Sequence, residues 1–210
     1  MKKITLILLI GISSHYSFGQ LSIGVTGGIL HSLKGSDAYN LATPYSAYKF
    51  GIEFLYTVHT HWQIRSGVES ITYKFQKNNF SFTNISFDSN QYFKSQYIGI
   101  PLGLRYMFKG NKIKPFIDGS MNLLFNTSHS TYFQNRSIPT DKNPRPPSFI
   151  LSPSLGAGIM MYPTKSLYLS FMASYSVQLN YMYEMYNDKN QLKKIRYNNL
   201  NTQLAIGYNF

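Results

Sequence analysis

Seven charged side chains fall on the polar faces of alternating segments: Lys49, Glu53, Arg65, Glu69, Arg105, Lys114 and Asp118. Such a set has two chemical uses. Along an aqueous path it could pass protons or ions through a gate. In a closed interior it forms a network in which each charge neutralises another. The second use fits better, because an unpaired buried charge is costly and pairing is the ordinary remedy. A turn centred on His59 puts Glu53 opposite Arg65 and Lys49 opposite Glu69. Arg105 and Asp118 become diagonal neighbours across the next hairpin.

The histidines offer less. His59-Thr60-His61 has the spacing of a metal pair, but no third ligand follows at a sensible distance. His31 ends a segment, and His129 falls in a long connection. Nucleophilic catalysis needs a histidine within a strand beside a serine, and the sequence places none there. No cysteine is present, so thiolate metal sites and disulfides are excluded. No cofactor-binding motif and no phosphate-cradling loop occur. The chain therefore reads as non-enzymatic, with no catalytic, cofactor-binding or metal residues. The densest basic run is Lys193, Lys194 and Arg196. It suits anionic phosphates at a lipopolysaccharide surface, although charge runs also occur on simple solvated loops.

Composition says where such residues would sit. The 210 residues carry 20 Lys and Arg against 8 Asp and Glu, a formal charge of +12. Only 13% of residues are charged, where about 25% is usual for a soluble domain. Aromatic residues make up 16%. Residues 1–19 show Lys2 and Lys3, then the apolar run 4–12, then small residues at Ser17 and Gly19. That is the layout of a cleaved signal peptide, and the run is shorter than the roughly 20 residues a membrane helix needs. Residues 20–210 then form one domain.

Period-two alternation runs through this domain in eight segments: 21–30, 47–58, 61–75, 95–109, 112–125, 148–162, 167–183 and 197–210. The third changes phase near Ser70, where Ile71, Tyr73 and Phe75 take over, which reads as a bulge or as the end of the lipid-facing part. The apolar faces are long, and the polar faces carry Gly, Ser and Asn in place of the Lys and Glu of a solvated surface. Three connections are tight: near His59, at Gly110-Asn111 and at Pro163-Thr164-Lys165. The other four, 31–46, 76–94, 126–147 and 184–196, are long and polar. Short turns alternating with long loops are a mark of outer-membrane barrels. The expected fold is all-β: an eight-stranded, antiparallel, up-and-down transmembrane barrel. It would be integral to the outer membrane of a Gram-negative bacterium, with both termini periplasmic. Eight strands leave an interior that side chains fill, so a diffusion pore is not expected. Nucleic acid is not a partner for a protein so placed.

The segment YIGIPLGLRYMFKGNKIKPFIDGSMNLLF, residues 97–125, resembles the centre of the PorT-like outer-membrane β-barrel family of Bacteroidota. Ile100-Pro101-Leu102 and Lys114-Pro115-Phe116 carry the likeness, with Gly67-Val68-Glu69 in an earlier strand. The resemblance implies an eight-stranded barrel, and its named member assists secretion through the type IX system. The leading expectation is a structural or accessory role in the envelope, with support of protein secretion as one form of it. Its partners would be outer-membrane lipid, lipopolysaccharide and other envelope or secretion proteins. The alternatives are a surface binding or adhesion barrel using loop aromatics such as Tyr39, Phe80, Phe87 and Tyr132, and a barrel enzyme that modifies lipid A.

Overall fold

The computed structural model describes residues 20–33, 43–77, 80–82, 85–87, 91–133, 146–181, 183–186 and 192–210. The expected signal peptide, 1–19, lies outside the described residues, as does Tyr39. Eight long strands form the barrel: β1 (Gln20–Leu33), β2 (Thr43–His59), β3 (Trp62–Lys77), β6 (Gln91–Met107), β7 (Ile113–Phe133), β8 (Phe149–Met161), β9 (Leu167–Val177) and β12 (Asn198–Asn209). Two small hairpins lie within the long connections. One pairs β4 (Phe80–Phe82) with β5 (Ile85–Phe87), and the other pairs β10 (Tyr183–Tyr186) with β11 (Leu192–Ile195).

The barrel is closed and antiparallel, in the order β1-β12-β9-β8-β7-β6-β3-β2. Alternation explains why these stretches become strands. Successive side chains of a strand point to opposite faces. Along β9, Phe171, Ala173, Tyr175 and Val177 point out, while Met172, Ser174 and Ser176 point in. The outward face is apolar all round, with Leu155 70% and Leu204 63% exposed. Such a face has no place in water, and is what hydrocarbon requires. Near the short turns it ends in aromatic rings: Trp62 and Phe108 pack on Tyr106, and Tyr208 on Phe210. Phe125 and Phe149 pair toward the opposite end. Aromatic girdles at both rims are characteristic of membrane barrels.

Three expectations are corrected here. The third segment has no bulge near Ser70. Glu69, Ile71 and Tyr73 lie on one inward face in unbroken phase, and the apolar residues simply move into the lumen. The fifth segment runs past Phe125 to Phe133, because a register shift at Gln96/Tyr97 leaves Thr127 unopposed and lets the β6–β7 ladder continue. The Thr127 hydroxyl donates to the Gln96 carbonyl at 3.1 Å. The seventh ends at Val177 and not at Tyr183. The β8–β9 ladder stops at Ser154–Ser176, beside Pro153, which has no N–H to give. The Asn180 side chain takes over, donating to the Phe149 carbonyl at 2.6 Å and accepting from the Leu151 amide at 2.9 Å.

The lipid-facing assignment predicts an asymmetry. Leu102→Arg and Phe171→Arg should each cost about 2–4 kcal/mol near the bilayer midplane, read by urea unfolding in lipid vesicles. Arginine at the exposed turn position Asn111 should cost little. Equal tolerance at all three positions would contradict an outward face buried in lipid.

Candidate functional site

The lumen holds a band of six charges between two apolar clusters. Lys49 and Glu53 come from β2, Arg65 and Glu69 from β3, Arg105 from β6 and Asp118 from β7, and all six are buried. Room for them comes from the strands beside them. Glu53 lies level with Gly24 and Gly67, and Glu69 with Gly51 and Gly99. Arg65 is level with Gly103, Asp118 with Gly156 and Lys49 with Gly28. A charged side chain can lie down over a neighbour that has none.

Arg65 is the hub. Its Nη1 donates to Asp118 Oδ1 at 2.9 Å. Its Nε lies 3.6 Å from Glu53 Oε2, and its Nη2 lies 3.7 Å from Glu69 Oε1. Lys49 Nζ donates to both carboxylate oxygens of Glu69 at 3.1 Å. Arg105 Nε donates to Asp118 Oδ2 at 3.1 Å, and its guanidinium lies 4.1 Å from the centre of the Phe116 ring. Three cations thus face three carboxylates, and the band is neutral.

The register that produces this differs from the expected one. Glu53 pairs with Gly67 and Arg65 with Leu55, a slip of two residues, because the turn is at Thr60-His61, with His59 opposite Trp62, and not centred on His59. A slip of two keeps every side chain on its face, so Glu53 still approaches Arg65, now diagonally. Arg105 and Asp118 are directly opposite, not diagonal. Lys114 makes no ion pair among the described residues. It is half-exposed near the short turns, with its ammonium 5.0 Å from the centre of the Tyr162 ring. Lys193 and Lys194 lie in β11 opposite Met185 and Glu184, and Arg196 follows, exposed.

One residue that the sequence reading passed over, Tyr168, completes the band. Tyr168 of β9, Gly207 of β12, Gly24 of β1 and Glu53 of β2 are level across four adjacent strands. The Tyr168 ring lies across both glycines, where any Cβ would meet it, and its hydroxyl donates to Glu53 Oε1 at 3.0 Å. The signal was available as two glycines level with a tyrosine and a glutamate, but only once the register is known.

Apolar layers close the lumen on either side. Toward the short turns lie Leu55, Met107, Phe116, Met160, Tyr168 and Met172. Toward the long connections lie Ile71, Tyr73, Phe93, Tyr97, Ile150 and Tyr197. The opposite wall, on β7, β8, β9 and β12, is neutral and polar, with Ser120 bonded to Ser154 at 2.7 Å and Asn201 donating to Ser174 at 3.2 Å.

A serine–histidine pair does lie within strands, contrary to expectation. The Thr127 bulge turns His129 inward, level with Ser95, and Ser95 Oγ lies 2.8 Å from His129 Nδ1. Ser95 has no exposed surface and sits beside Phe93 and Tyr97 of the apolar cluster. A nucleophile needs space for a reacting carbonyl next to it. The geometry is that of a structural bond joining β6 and β7. The turn histidines are likewise engaged: His61 Nδ1 lies 2.9 Å from the Met107 carbonyl, and His59 Nδ1 lies 3.1 Å from the Thr60 hydroxyl. Among the described residues no cluster of three metal-ligating side chains occurs.

Two predictions follow from packing and charge. Gly24→Ala should destabilise by about 1–3 kcal/mol, because its methyl group would overlap the Tyr168 hydroxyl. Gly27→Ala, where a Cβ meets open space, should be close to neutral. Equal effects would displace the tyrosine from the seam. For the charges, Asp118→Asn alone should cost about 3–5 kcal/mol by leaving cations uncompensated. A double-mutant cycle with Arg105→Gln should show strong coupling, and additive losses would separate the two side chains.

No family model matches this chain, the PorT-like family included, and no curated protein matches it. Solved structures do. The outer membrane protein OprG from Pseudomonas aeruginosa aligns with a TM-score of 0.56 at 11% identity, over 93% of this chain and 97% of that one. The outer membrane protein W of E. coli aligns with a TM-score of 0.50 at 11% identity, over 93% of this chain and 100% of that one. At such identity the likeness speaks for architecture, and it shows that this chain has the fold of an outer-membrane β-barrel.

Proposed function

We propose that the protein is a sealed, non-enzymatic barrel of the outer membrane with a structural or accessory role in the envelope. One observation carries this reading: a neutral six-charge band fills the lumen, and an apolar layer closes it on each side. Such an interior has no path for a solute. What the protein does, it does with its outer wall and its long connections. The termini and short turns face the periplasm, and the long connections face outward. There Lys193, Lys194 and Arg196 meet the phosphates of lipopolysaccharide. Support of protein secretion, as in the PorT-like family, is the accessory role in view, and its partners would be other envelope proteins.

The test has three parts. In planar bilayers the purified barrel should show no steady conductance, and a stable open level would overturn the sealed-lumen reading. The chain has no cysteine, so single thiols at Arg196 and Lys165, both exposed at opposite ends, report topology. A membrane-impermeant maleimide should label Arg196→Cys on intact cells and spare Lys165→Cys; the reverse would invert the barrel. Affinity capture from the native outer membrane should retain envelope or secretion proteins. Recovery of the barrel alone would count against the accessory role.

The enzyme reading is favoured by one observation, the Ser95–His129 pair. It is separable by a fluorophosphonate probe, which should leave Ser95 unmodified in the folded protein. Covalent labelling at Ser95, lost in His129→Gln, would move the protein to the esterases.

A further inference from the structure

The lumen is not filled completely. Between the charge band and the neutral wall lies a cavity of about 30 Å³, bounded by Lys49, Arg65 and Glu69 on one side and by Ser154, Ser174 and Asn201 on the other. A water molecule needs about 10–15 Å³ on this measure, so there is space for about two. Asn201 uses its amide to donate to Ser174 Oγ at 3.2 Å, while its Oδ1, fully sealed, has no partner among the described residues. The Lys49 ammonium has three hydrogens, and among the described residues its hydrogen bonds run to the two oxygens of Glu69. A buried acceptor without a donor thus shares one cavity with an ammonium still able to donate. We propose that this cavity is a binding site for a pair of ordered waters that join the charge band to the serine–asparagine wall.

Water fits better than the other small ligands. Three cations and three carboxylates already balance in the band, so no net charge draws an ion in. Truly empty cavities are apolar, and this one, although Leu30, Ile71, Leu124 and Met172 form part of its wall, also presents hydroxyl, amide and charged groups that can hold water. Serine hydroxyls donate or accept as required, which lets two waters satisfy an acceptor on one wall and a donor on the other without moving either strand.

The experiment uses the intact barrel in lipid nanodiscs, with water and xenon as probes. Magnetisation transfer from water should give cross-peaks at the Asn201 side-chain amide, with the sign of a long-lived bound water. Ser176→Val, which puts a methyl group into the cavity wall, should weaken them several-fold. Xenon under pressure should leave the resonances of Ser174 and Asn201 unshifted, since a hydrated polar cavity does not take it up. Absent water cross-peaks, cross-peaks indifferent to Ser176→Val, or xenon-induced shifts at these residues would each overturn the site. Should Ser176→Val fail to fold, the wild-type cross-peaks and the xenon arm decide the question.

Discussion

Arg65 is a permanent cation in the middle of a barrel whose outer wall is apolar, and neutralising it is the constraint on which the interior depends. A guanidinium does not deprotonate, so the structure must bring carboxylates to it. Three arrive, Asp118 at 2.9 Å, Glu53 at 3.6 Å and Glu69 at 3.7 Å. Three carboxylates around one cation would overcompensate it. Lys49 therefore shares Glu69, and Arg105 shares Asp118. The count of six follows from that logic. So does the glycine pattern, because side chains this long can meet only if the strands between them present little bulk.

The two apolar clusters are the other half of the same solution. Attraction between charges is strong where water is excluded, and a desolvated pair left unmatched is a liability. Leu55, Met107, Phe116 and Met160 on one side, and Ile71, Tyr73, Phe93 and Ile150 on the other, keep bulk solvent away from the band. They pack the lumen on either side of the band. Their methionines suit this place, since an unbranched, polarisable side chain fills irregular gaps around a guanidinium and a tyrosine ring.

Much of this was legible in the sequence. Period-two alternation located all eight barrel strands, and the contrast between tight and long connections ordered them. The polar faces named every member of the charge band. What was not legible was register. A turn at Thr60-His61 in place of one centred on His59 slips the register by two residues and leaves faces unchanged, so no pattern of polarity can reveal it. The Thr127 bulge is equally silent: a threonine among polar residues gives no sign that it will be the unopposed one, yet it decides that His129 points inward. The supposed slip near Ser70 failed for a different reason. Ile71 and Tyr73 keep the inward phase of Glu69, because an apolar layer packs the lumen beyond the charge band, so a change from polar to apolar residues on that face needs no bulge. Lys114, assigned inward by alternation, lies where its strand leaves the band, and a half-exposed position near a turn has no need of a carboxylate.

Closure of the barrel is tied to the same charges. The first and last strands meet along β1 and β12, and that seam joins the ends of the domain, so it has the longest loop to close and the greatest entropy to overcome. Tyr168 crosses it. Its ring starts on β9, lies flat over Gly207 and Gly24 on the two sides of the seam, and reaches Glu53 on β2. Glu53 in turn approaches Arg65 on β3. A single chain of contacts therefore runs from β9 across the seam to β3, and through Asp118 to β7. Within it, the hydroxyl finds its acceptor only when β1 and β12 are paired in register, and Glu53 finds the hydroxyl only when β1 and β2 are. The Tyr168–Glu53 bond thus couples one carboxylate of the charge band to the joining of the ends. A barrel with its seam open would hold Glu53 short of a partner, which is a reason for the closed state to be the one that persists.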